Sequence, residues 1–437
     1  MPEEYLKEMK ELLQEEYPLL LASYQEPPTQ AIRINTSKVS VDEFLSLSLF
    51  PVQKLAFTSD GFLHSESKIG NHPYHQAGLF YAQEPSAMLP VNVLVWKDDW
   101  KVLDLCAAPG GKTTAIANRV PNGFVLANEV HYGRAKKLLS NVERLGLSNV
   151  LITSNSAYEI AQVIQGYFDV VYVDAPCSGE GMFRKDREAR ASWSLEKVAQ
   201  LVLVQKELLE QAHRTLKENG YLVYSTCTFS LEENEQVLEQ FLQKYNYELV
   251  EVPKTILAVT RPGKGKFGKA RRCYPYLVGE GQFVAVLKKK QMEPYRMETI
   301  DLRLPTQAEN RLMQPYLALF QQNFPVRVYR DNFVISPFER IPKLTILACF
   351  VKLGSMERNR FCPHHQFVRV YGTLCQNQLC LTQTDPRLLA YLRGEEIRGV
   401  DFDGYGVVCL YQYPLGLGKA SHGVLKNHYP KGLRLEF

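Results

Sequence analysis

The amino-acid sequence predicts an α/β protein with a Rossmann-like core, a small α+β domain before this core and a β-rich module after it. The core is indicated between Lys101 and Leu287, where short apolar segments alternate with longer helical patterns. The region upstream mixes short strand-like segments with loops, and the region downstream carries short β-type segments separated by glycine and proline. We therefore expect several structural parts around a mainly parallel sheet.

Length and composition are those of a globular protein with more than one hydrophobic core. The chain has 437 residues, of which 45% are hydrophobic and 22% charged, and its formal net charge is +4. No apolar run reaches the roughly 18 residues of a membrane span, and the acidic start lacks the basic region of a secretion signal. The nine cysteines lack the regular spacing of a disulfide scaffold. We expect reduced thiols, a cytoplasmic location and no membrane partner.

The core is predicted from runs of β-branched and aromatic residues bounded by turns. The predicted strands are 102–105, 124–128, 150–153, 168–174 and 221–226, with two more near 249 and over 283–287. Helices are expected to begin near Thr113, Gly133, Leu195 and Glu232. Ligands of such sheets bind beyond the carboxyl ends of the strands, so the residues that follow each strand are the candidate site.

The flanking regions are predicted with less detail. Residues 4–16 place leucine and methionine at helical spacing, which predicts an amphipathic helix packed on the surface. Charge and proline over 288–294 indicate a linker. Beyond it, the segments 367–371 and 406–411 are predicted as strands of a barrel-like or α+β module.

The first strand is followed by a glycine turn, Asp104-Leu-Cys-Ala-Ala-Pro-Gly110-Gly111-Lys112, in which the backbone can approach a ligand closely. Such a turn is equally compatible with a simple connection from strand to helix. Glu129 ends the second strand, where an acid that binds ribose hydroxyls is expected, although a solvated acid would read the same. Together the two features indicate a cofactor that contains adenosine.

Two further strands end in cysteines, Cys177 in Asp174-Ala-Pro-Cys177-Ser-Gly and Cys227 in Ser-Thr-Cys227-Thr. Consecutive strands are often neighbours in a sheet, which would place both thiols in one cleft. A lone cysteine is usually a small buried apolar residue, but two at matching strand ends favour chemistry. The spacing does not say which thiol attacks.

Two thiols, a carboxyl group and an adenosine cofactor suit methylation of C5 of cytosine. This carbon becomes a nucleophile only after a thiolate has added to C6, and covalent catalysis divides the difficult step in two. The carboxyl of Asp174 can stabilise charge on the N3 and N4 edge of the base. The second cysteine can assist removal of the C5 proton and release of the first.

One cluster of basic residues lies in the run 261–272, which combines lysine and arginine with glycine and contains no acid. The run predicts a flexible loop that contacts RNA phosphates through Lys264, Lys266, Lys269, Arg271 and Arg272. A solvated loop is the alternative.

These motifs together resemble the Nop/Sun family of RNA cytosine-5 methyltransferases, in its bacterial RsmF-like branch. The match lies in the segments 106–112, 174–181 and 225–228, and it extends through Arg33-Ile-Asn35 upstream. At the C-terminal end, 414–419 and 425–430 are similar to a PUA-like RNA-binding module. Arg33 and Asn35 themselves are open to an RNA contact or to a solvated or capping role.

The resemblance implies S-adenosylmethionine as cofactor, Cys227 as the catalytic nucleophile, Cys177 as its partner and Asp174 beside the base. The residues that it implies for cofactor binding are Cys106, Ala107, Ala108, Pro109, Gly110, Gly111, Lys112, Glu129, Asn155 and Asp174. Asn155 stands where the family often has an acid for the adenine edge.

The resemblance also implies a domain plan and a substrate. It divides the chain into an N-terminal RNA-positioning domain (1–95), a methyltransferase domain (96–290), an intermediate domain (295–370) and a PUA-like module (371–437). The expected substrate is 16S ribosomal RNA or the small ribosomal subunit rather than DNA, with a flipped cytosine, and the expected state is a monomer. A tRNA substrate, a non-catalytic assembly factor and a thiol redox enzyme are the alternatives.

No metal site is predicted. Cys362, His364, His365, Cys375 and Cys380 do not follow the paired spacing of zinc ligands.

Overall fold

The computed structural model describes residues 1–435, so residues 436 and 437 of the predicted module 371–437 lie outside the described part. The division of the chain at 95, 290 and 370 stays a prediction. Within residues 1–435 we find no helix long and apolar enough to cross a bilayer.

The centre of the molecule is a ten-stranded sheet. Its parallel part runs in the order Leu216–Thr226, Phe168–Asp174, Lys101–Asp104, Phe124–Asn128 and Val150–Thr153, which are the five strands predicted in the core. Antiparallel strands continue the sheet beyond Leu216–Thr226, namely Gln282–Lys289 with Tyr247–Leu249 beside it, then Arg271–Cys273 and Arg261–Pro262. The order turns back at Lys101–Asp104, which creates a crevice at the carboxyl ends of the strands.

Successive residues of the central strands point to opposite faces, and each face packs against its own core. Val125 and Val170 belong to one buried cluster, whereas Leu126 and Val171 belong to the other. The helices that cover the two faces are Gly111–Arg119, Tyr132–Leu145, Ala157–Val163, Leu195–Thr215 and Val237–Lys244, with the short Arg187–Ala191 and Lys254–Leu257.

The N-terminal part combines helices with a small antiparallel sheet. The sheet runs in the order Val52–Lys54, Gly61–His64, Ala31–Ile34 and Phe80–Ala82, and the helices are Glu3–Leu13, Tyr17–Ser23, Val41–Ser46 and Pro73–Gln76. The predicted amphipathic helix is therefore present. Its residues Tyr5, Met9 and Leu13 pack with Phe183 and Phe229, which follow the two cysteine motifs.

The C-terminal part contains two further sheets. One consists of Val326–Tyr329, Asn332–Ile335, Val351–Glu357 and Arg360–Pro363, and the other of Gln378–Leu381, Gly404–Leu410, Tyr413–Ser421, Val424–Asn427 and Ile397–Arg398. Its helices are Gln307–Leu317, His365–Tyr371 and Pro386–Arg393. Two short ladders join Ile164–Gln165 to Arg296–Met297 and Thr299–Asp301 to Arg340–Pro342.

The prediction of a strand over 367–371 is wrong. This segment forms the helix His365–Tyr371, whose first turn is capped by the side chain of His364. The helix buries Phe367, Val368 and Arg369, so tertiary packing decides its structure against the strand propensity of its valines and aromatics.

Two features join the C-terminal part to the rest. The strand Ile346–Cys349 pairs antiparallel with Val150–Thr153 and so extends the central sheet, which the sequence did not predict. The buried Arg369 guanidinium donates to main-chain oxygens of Pro414 and Leu415 at 2.8 and 2.9 Å, to Gln76 at 2.8 Å, and to Arg144. One side chain thus contacts the N-terminal, central and C-terminal parts.

Candidate active site

The two cysteine motifs meet at the carboxyl edge of the central sheet. Cys227 directly follows the strand Leu216–Thr226, and Cys177 follows Phe168–Asp174, which is its parallel neighbour with Ser225 opposite Asp174. The two Sγ atoms lie 3.3 Å apart, and both residues are partly exposed. The structure therefore brings the two thiols into one cleft.

The surroundings of the two thiols differ. The contact with Cys227, burial and the Glu233 carboxylate raise the pKa of Cys177 well above its usual value, which keeps Cys177 protonated. The Lys112 ammonium is buried, which lowers its pKa, but Asp174 and then Cys227 raise it to a net value above the usual one. The Lys112 ammonium therefore stays charged, paired with Asp174 beside the thiols.

Asp174 lies beside the thiols in a defined orientation. Its Oδ2 is 2.7 Å from Lys112 Nζ, and its Oδ1 accepts a hydrogen bond of 2.7 Å from Ser225 Oγ. Gln282 Nε2 is at the limit of hydrogen bonding, 3.5 Å away. Because 31% of the Asp174 side chain remains accessible, the carboxylate can still receive donors from a substrate.

Asp104, the last residue of the first strand, supports the glycine turn that follows it. Thr113 Oγ1 donates to Asp104 Oδ2 at 2.7 Å, and burial raises the pKa of Asp104 to about 7. Its Oδ1 is buried and has no hydrogen-bond partner among the described residues. Gly110 has a φ of 111°, which only glycine adopts without strain, so the turn requires this residue.

A cavity of about 190 Å³ lies between this turn and the helix Leu195–Thr215. It is lined by the predicted cofactor residues Cys106, Glu129 and Asn155, and by Pro176, which precedes Cys177. Further residues complete its wall, most of them not predicted: Leu105, Asn128, Val130, His131, Arg134, Ser156, Ala157, Val204, Glu207 and Leu208. Val204 and Leu208 gave no signal in the sequence, because apolar residues of a covering helix are typical of an ordinary core.

Glu129 and Asn155 are fixed by the backbone around the cavity. Glu129 Oε1 accepts from the His131 amide at 3.0 Å, whereas its buried Oε2 accepts no hydrogen bond among the described residues and lies 3.1 Å from Arg134. Asn155 Oδ1 accepts from the amide of Thr345 at 3.1 Å. The cavity thus offers a carboxylate oxygen that is ion-paired with Arg134 but accepts no hydrogen bond, and hydroxyl donors such as those of a ribose can bind to it.

Three buried polar residues beside the cysteine loops were also missed. Glu180 accepts hydrogen bonds from the Phe229 amide at 2.8 Å and from Trp193 Nε1 at 3.0 Å, and burial raises its pKa to about 7. Glu233 and Asn234 are fully buried as well. In the sequence, the run Glu232-Glu-Asn-Glu is typical of a solvated helix start, so no pattern indicated that Glu233 and Asn234 are buried.

The interpretation of the run 261–272 as a flexible loop is wrong. It contains the strands Arg261–Pro262 and Arg271–Cys273 at the edge of the central sheet. Arg271 donates to Thr260, and Arg272 forms an ion pair with Glu235, with exposed fractions of 8% and 1%. Buried guanidinium groups that are paired with protein atoms are not available to phosphates, so these two residues do not form an RNA surface.

The three lysines of the run are more exposed, but each contacts the protein. Lys264 Nζ donates to the main-chain oxygen of Leu12, Lys269 Nζ donates to that of Leu249, and Lys266 pairs with Glu239. An RNA contact of Lys264, Lys266 and Lys269 stays a prediction.

Arg33 and Asn35 are buried, so neither the RNA contact nor the solvated role applies to them. Arg33 donates to Gln83 at 3.1 Å and to Thr114 at 2.7 Å, and Asn35 donates to the main-chain oxygens of Gly78 and Leu145, each at 2.8 Å. Both connect the N-terminal part to the central one. Over residues 1–435, no group of three or more His, Cys, Asp or Glu side chains is arranged to hold a metal ion.

Comparison with known families gives three consecutive matches along the chain. Residues 91–288 match the model described as 16S rRNA methyltransferase RsmB/F, and residues 1–85 match the N-terminal domain of 16S rRNA methyltransferase RsmF. Residues 378–435 match the RsmF PUA domain. The family resemblance found in the motifs and the predicted fold class are thereby confirmed.

Individual proteins give the same result. The chain is 32% identical over 468 residues to the ribosomal RNA small subunit methyltransferase F of an Enterobacter species, which covers 99% of this chain and 95% of the relative. A methyltransferase homologue from Pyrococcus horikoshii is 30% identical, with a TM-score of 0.55, and covers 63% of this chain and 91% of its own. The NSun6 structure from the same organism, solved with SFG, shares the fold at 22% identity and a TM-score of 0.59, over 66% and 98% of the two chains.

Proposed function

We propose that this chain, which belongs to the RsmF family of ribosomal RNA small subunit methyltransferases, methylates C5 of a cytosine in 16S ribosomal RNA. In this proposal Cys227 is the nucleophile, Cys177 assists release, and S-adenosylmethionine is the methyl donor. The observation that carries it is the distance of 3.3 Å between the two sulfur atoms at the edge of the sheet.

The raised pKa of Cys177 supports this assignment. Because its pKa is raised, Cys177 remains protonated, so it is a poor nucleophile and a suitable proton carrier. The Cys227 thiolate then adds to C6 of the cytosine, and the electron pair of the 5,6 double bond moves towards N3 and C5.

Asp174 and Lys112 support this addition. Asp174 keeps an accessible carboxylate after its bonds to Lys112 and Ser225, and it can orient the target base by accepting from the N4 amino group. Lys112 holds the Asp174 carboxylate in place through its ion pair. A target base that receives a thiol at C6 must leave its stack, so the RNA is expected to present a flipped cytosine.

The second half of the reaction returns the enzyme to its starting state. Once C5 carries the methyl group, its proton has to be removed before the bond between Cys227 and C6 can break. The electrons of the C5–H bond then restore the double bond, and the Cys227 sulfur leaves as a thiolate. Cys177 lies in contact with that sulfur, so it can pass its thiol proton to the departing Cys227 sulfur and accept the C5 proton in exchange.

The cavity of about 190 Å³ suits the nucleoside part of the cofactor. Glu129 Oε2 can accept from ribose hydroxyls beside its ion pair with Arg134, and Asn155 lines the wall for the base. When bound, S-adenosylmethionine supplies a methyl group that its sulfonium activates for transfer. The residues of the cavity would hold this methyl donor next to Pro176, which precedes Cys177.

The proposal is tested with purified protein, 16S ribosomal RNA or small subunits, and S-adenosylmethionine that carries a labelled methyl group. We expect label in 5-methylcytosine, located by nuclease digestion and mass spectrometry. Transfer of label to tRNA alone would favour the alternative substrate, and RNA binding without transfer would favour an assembly factor.

Two variants separate the roles of the thiols. Cys227→Ala is expected to abolish methyl transfer and to form no covalent complex. Cys177→Ala is expected to accumulate protein bound covalently to RNA, which a denaturing gel detects as a slower band. Free release of methylated RNA by Cys177→Ala would refute the division of labour. Turnover by Cys227→Ala would refute the whole mechanism.

A further inference from the structure

Behind the two thiols, one π-helical turn, Glu232–Gln236, carries adjacent buried residues that contact different cysteine loops. The Glu233 carboxylate accepts from the Ser178 amide at 3.0 Å and from the Ser178 hydroxyl. It also accepts from Gln205 Nε2 at 2.7 Å, and the same Gln205 nitrogen donates to the main-chain oxygen of Pro176 at 2.9 Å. Glu233 and Gln205 therefore hold the residues on both sides of Cys177.

Asn234 does the same for the other thiol. Its Oδ1 accepts from Thr226 Oγ1 at 2.6 Å, and its Nδ2 donates to the main-chain oxygen of Thr228 at 3.0 Å. The residues before and after Cys227 are thus fixed by one amide. Asn234 is fully buried, so neither bond is exposed to competition with water.

Other bonds connect the two loops directly. The amide of Gly181 donates to the main-chain oxygen of Cys227 at 2.8 Å, the hydroxyls of Ser178 and Thr228 are 2.8 Å apart, and Glu180 accepts from the Phe229 amide. The backbone between Glu233 and Asn234 adds a further connection, and it reaches the residues next to each cysteine. π-Helical turns are rare and occur often at functional sites, and here the turn places two consecutive side chains on two separate targets.

We propose that Glu233 and Asn234 are positioning residues with separate tasks, Glu233 setting the place of Cys177 for release and Asn234 that of Cys227 for attack. The inference rests on the proposed function, since it assigns each residue to one half of that reaction. Neither side chain touches the substrate in this proposal. Each acts on the thiol whose neighbours it holds.

Glu233→Gln is the sharpest perturbation, because it keeps the size and removes one acceptor. The side-chain amide nitrogen of the new glutamine would face either the donors of Ser178 or the donor of Gln205. A flip of the Gln205 amide would not relieve this, because it would bring the Gln205 oxygen against the main-chain oxygen of Pro176. Hydrogen bonds to charged groups are strong, so the affected step should slow roughly ten- to hundredfold. Asn234→Ala removes both bonds to the Cys227 loop.

The experiment follows covalent complex and methylated product in a single turnover on 16S ribosomal RNA. Glu233→Gln is expected to methylate but to accumulate covalent complex, as Cys177→Ala does. Asn234→Ala is expected to form the complex slowly and to accumulate none. A general loss of structure would instead lower complex and product together in both variants, and this outcome would overturn the proposal.

Double variants and a control complete the test. In the Cys177→Ala background, Glu233→Gln should add no further delay of release, whereas Asn234→Ala should still slow formation of the complex. Glu232→Gln makes the same change of charge on the exposed neighbour and should leave both steps within about twofold. If Glu233→Gln does not fold, Gln205→Met provides the same test, because it removes the hydrogen bonds to Glu233 and to the main-chain oxygen of Pro176. This variant should also accumulate covalent complex.

The failure of this inference can be told from the failure of the proposed function. If Cys177→Ala accumulates complex but Glu233→Gln and Gln205→Met release product at the normal rate, only the inference is overturned. If Cys177→Ala itself accumulates none, the division of labour between the thiols has failed first.

Discussion

Replacement of Arg272 by methionine tests whether the basic run 261–272 serves the fold or the RNA. Arg272 donates to Glu235 Oε1 at 2.7 Å and to the main-chain oxygen of Phe229 at 2.7 Å, next to the Cys227 loop. The side chains of Arg272 and Glu235 are only 1% and 7% exposed. The variant therefore leaves a buried carboxylate without its cation.

The expected magnitude follows from that burial. Loss of one partner of a buried ion pair costs about 3–5 kcal/mol, because the remaining charge is desolvated and uncompensated. For a folding unit of 150–250 residues this lowers the melting temperature by roughly 6–20 °C. By comparison, Lys266→Ala breaks an exposed pair with Glu239 and should cost about 1 kcal/mol or less.

The assay combines thermal unfolding, followed by circular dichroism or calorimetry, with RNA affinity at several salt concentrations. The double variant Arg272→Met with Glu235→Leu removes both charges and should recover most of the lost stability. A phosphate contact predicts a different result, namely an unchanged melting temperature and a salt slope of binding reduced by about 0.7. That result for Arg272→Met would refute the structural role.

Two further predictions concern the cofactor cavity and pH. Glu129→Ala should weaken the binding of S-adenosylmethionine roughly ten- to hundredfold in calorimetric titration and leave RNA affinity unchanged, because Oε2 pairs with Arg134 but accepts no hydrogen bond from the protein. Burial raises the pKa of Glu180 to about 7, so its neutral form favours the folded state, and that stability is complete below about pH 4.5 and is lost as pH rises through 7. From pH 5 to 8 the unfolding free energy of the protein should therefore fall by up to about 3 kcal/mol more than that of Glu180→Gln. Denaturant titrations at several pH values measure this difference. The same dependence of unfolding free energy on pH in both proteins would contradict the burial argument.

The sequence predicted the centre of the fold because that part obeys local rules. The strands around Val125 and Val171 are apolar runs bounded by turns, and residues at their ends must meet at one edge in a parallel sheet. The positions of Cys177, Cys227 and Glu129 could therefore be predicted before the structure.

The remaining features depend on contacts distant in the chain. The strand Ile346–Cys349 joins the central sheet almost 200 residues after its partner Val150–Thr153, and nothing in its composition specifies that neighbour. From the sequence, Arg272 is expected to be a surface cation, because its buried partner Glu235 lies 37 residues earlier in the chain. Glu233 and Asn234 read as solvated for the same reason, since their partners come from the cysteine loops.

The buried guanidinium of Arg369 has a consequence for how RNA is received. Its hydrogen bonds to Gln76, Arg144, Pro414 and Leu415 would all have to change if one part of the molecule rotated against another. Groups removed from water in this way are costly to leave unpaired, so a hinge at this point is unfavourable. We therefore expect the three parts that Arg369 joins to move as one body when RNA binds, so that any fitting of the two surfaces falls to the nucleic acid.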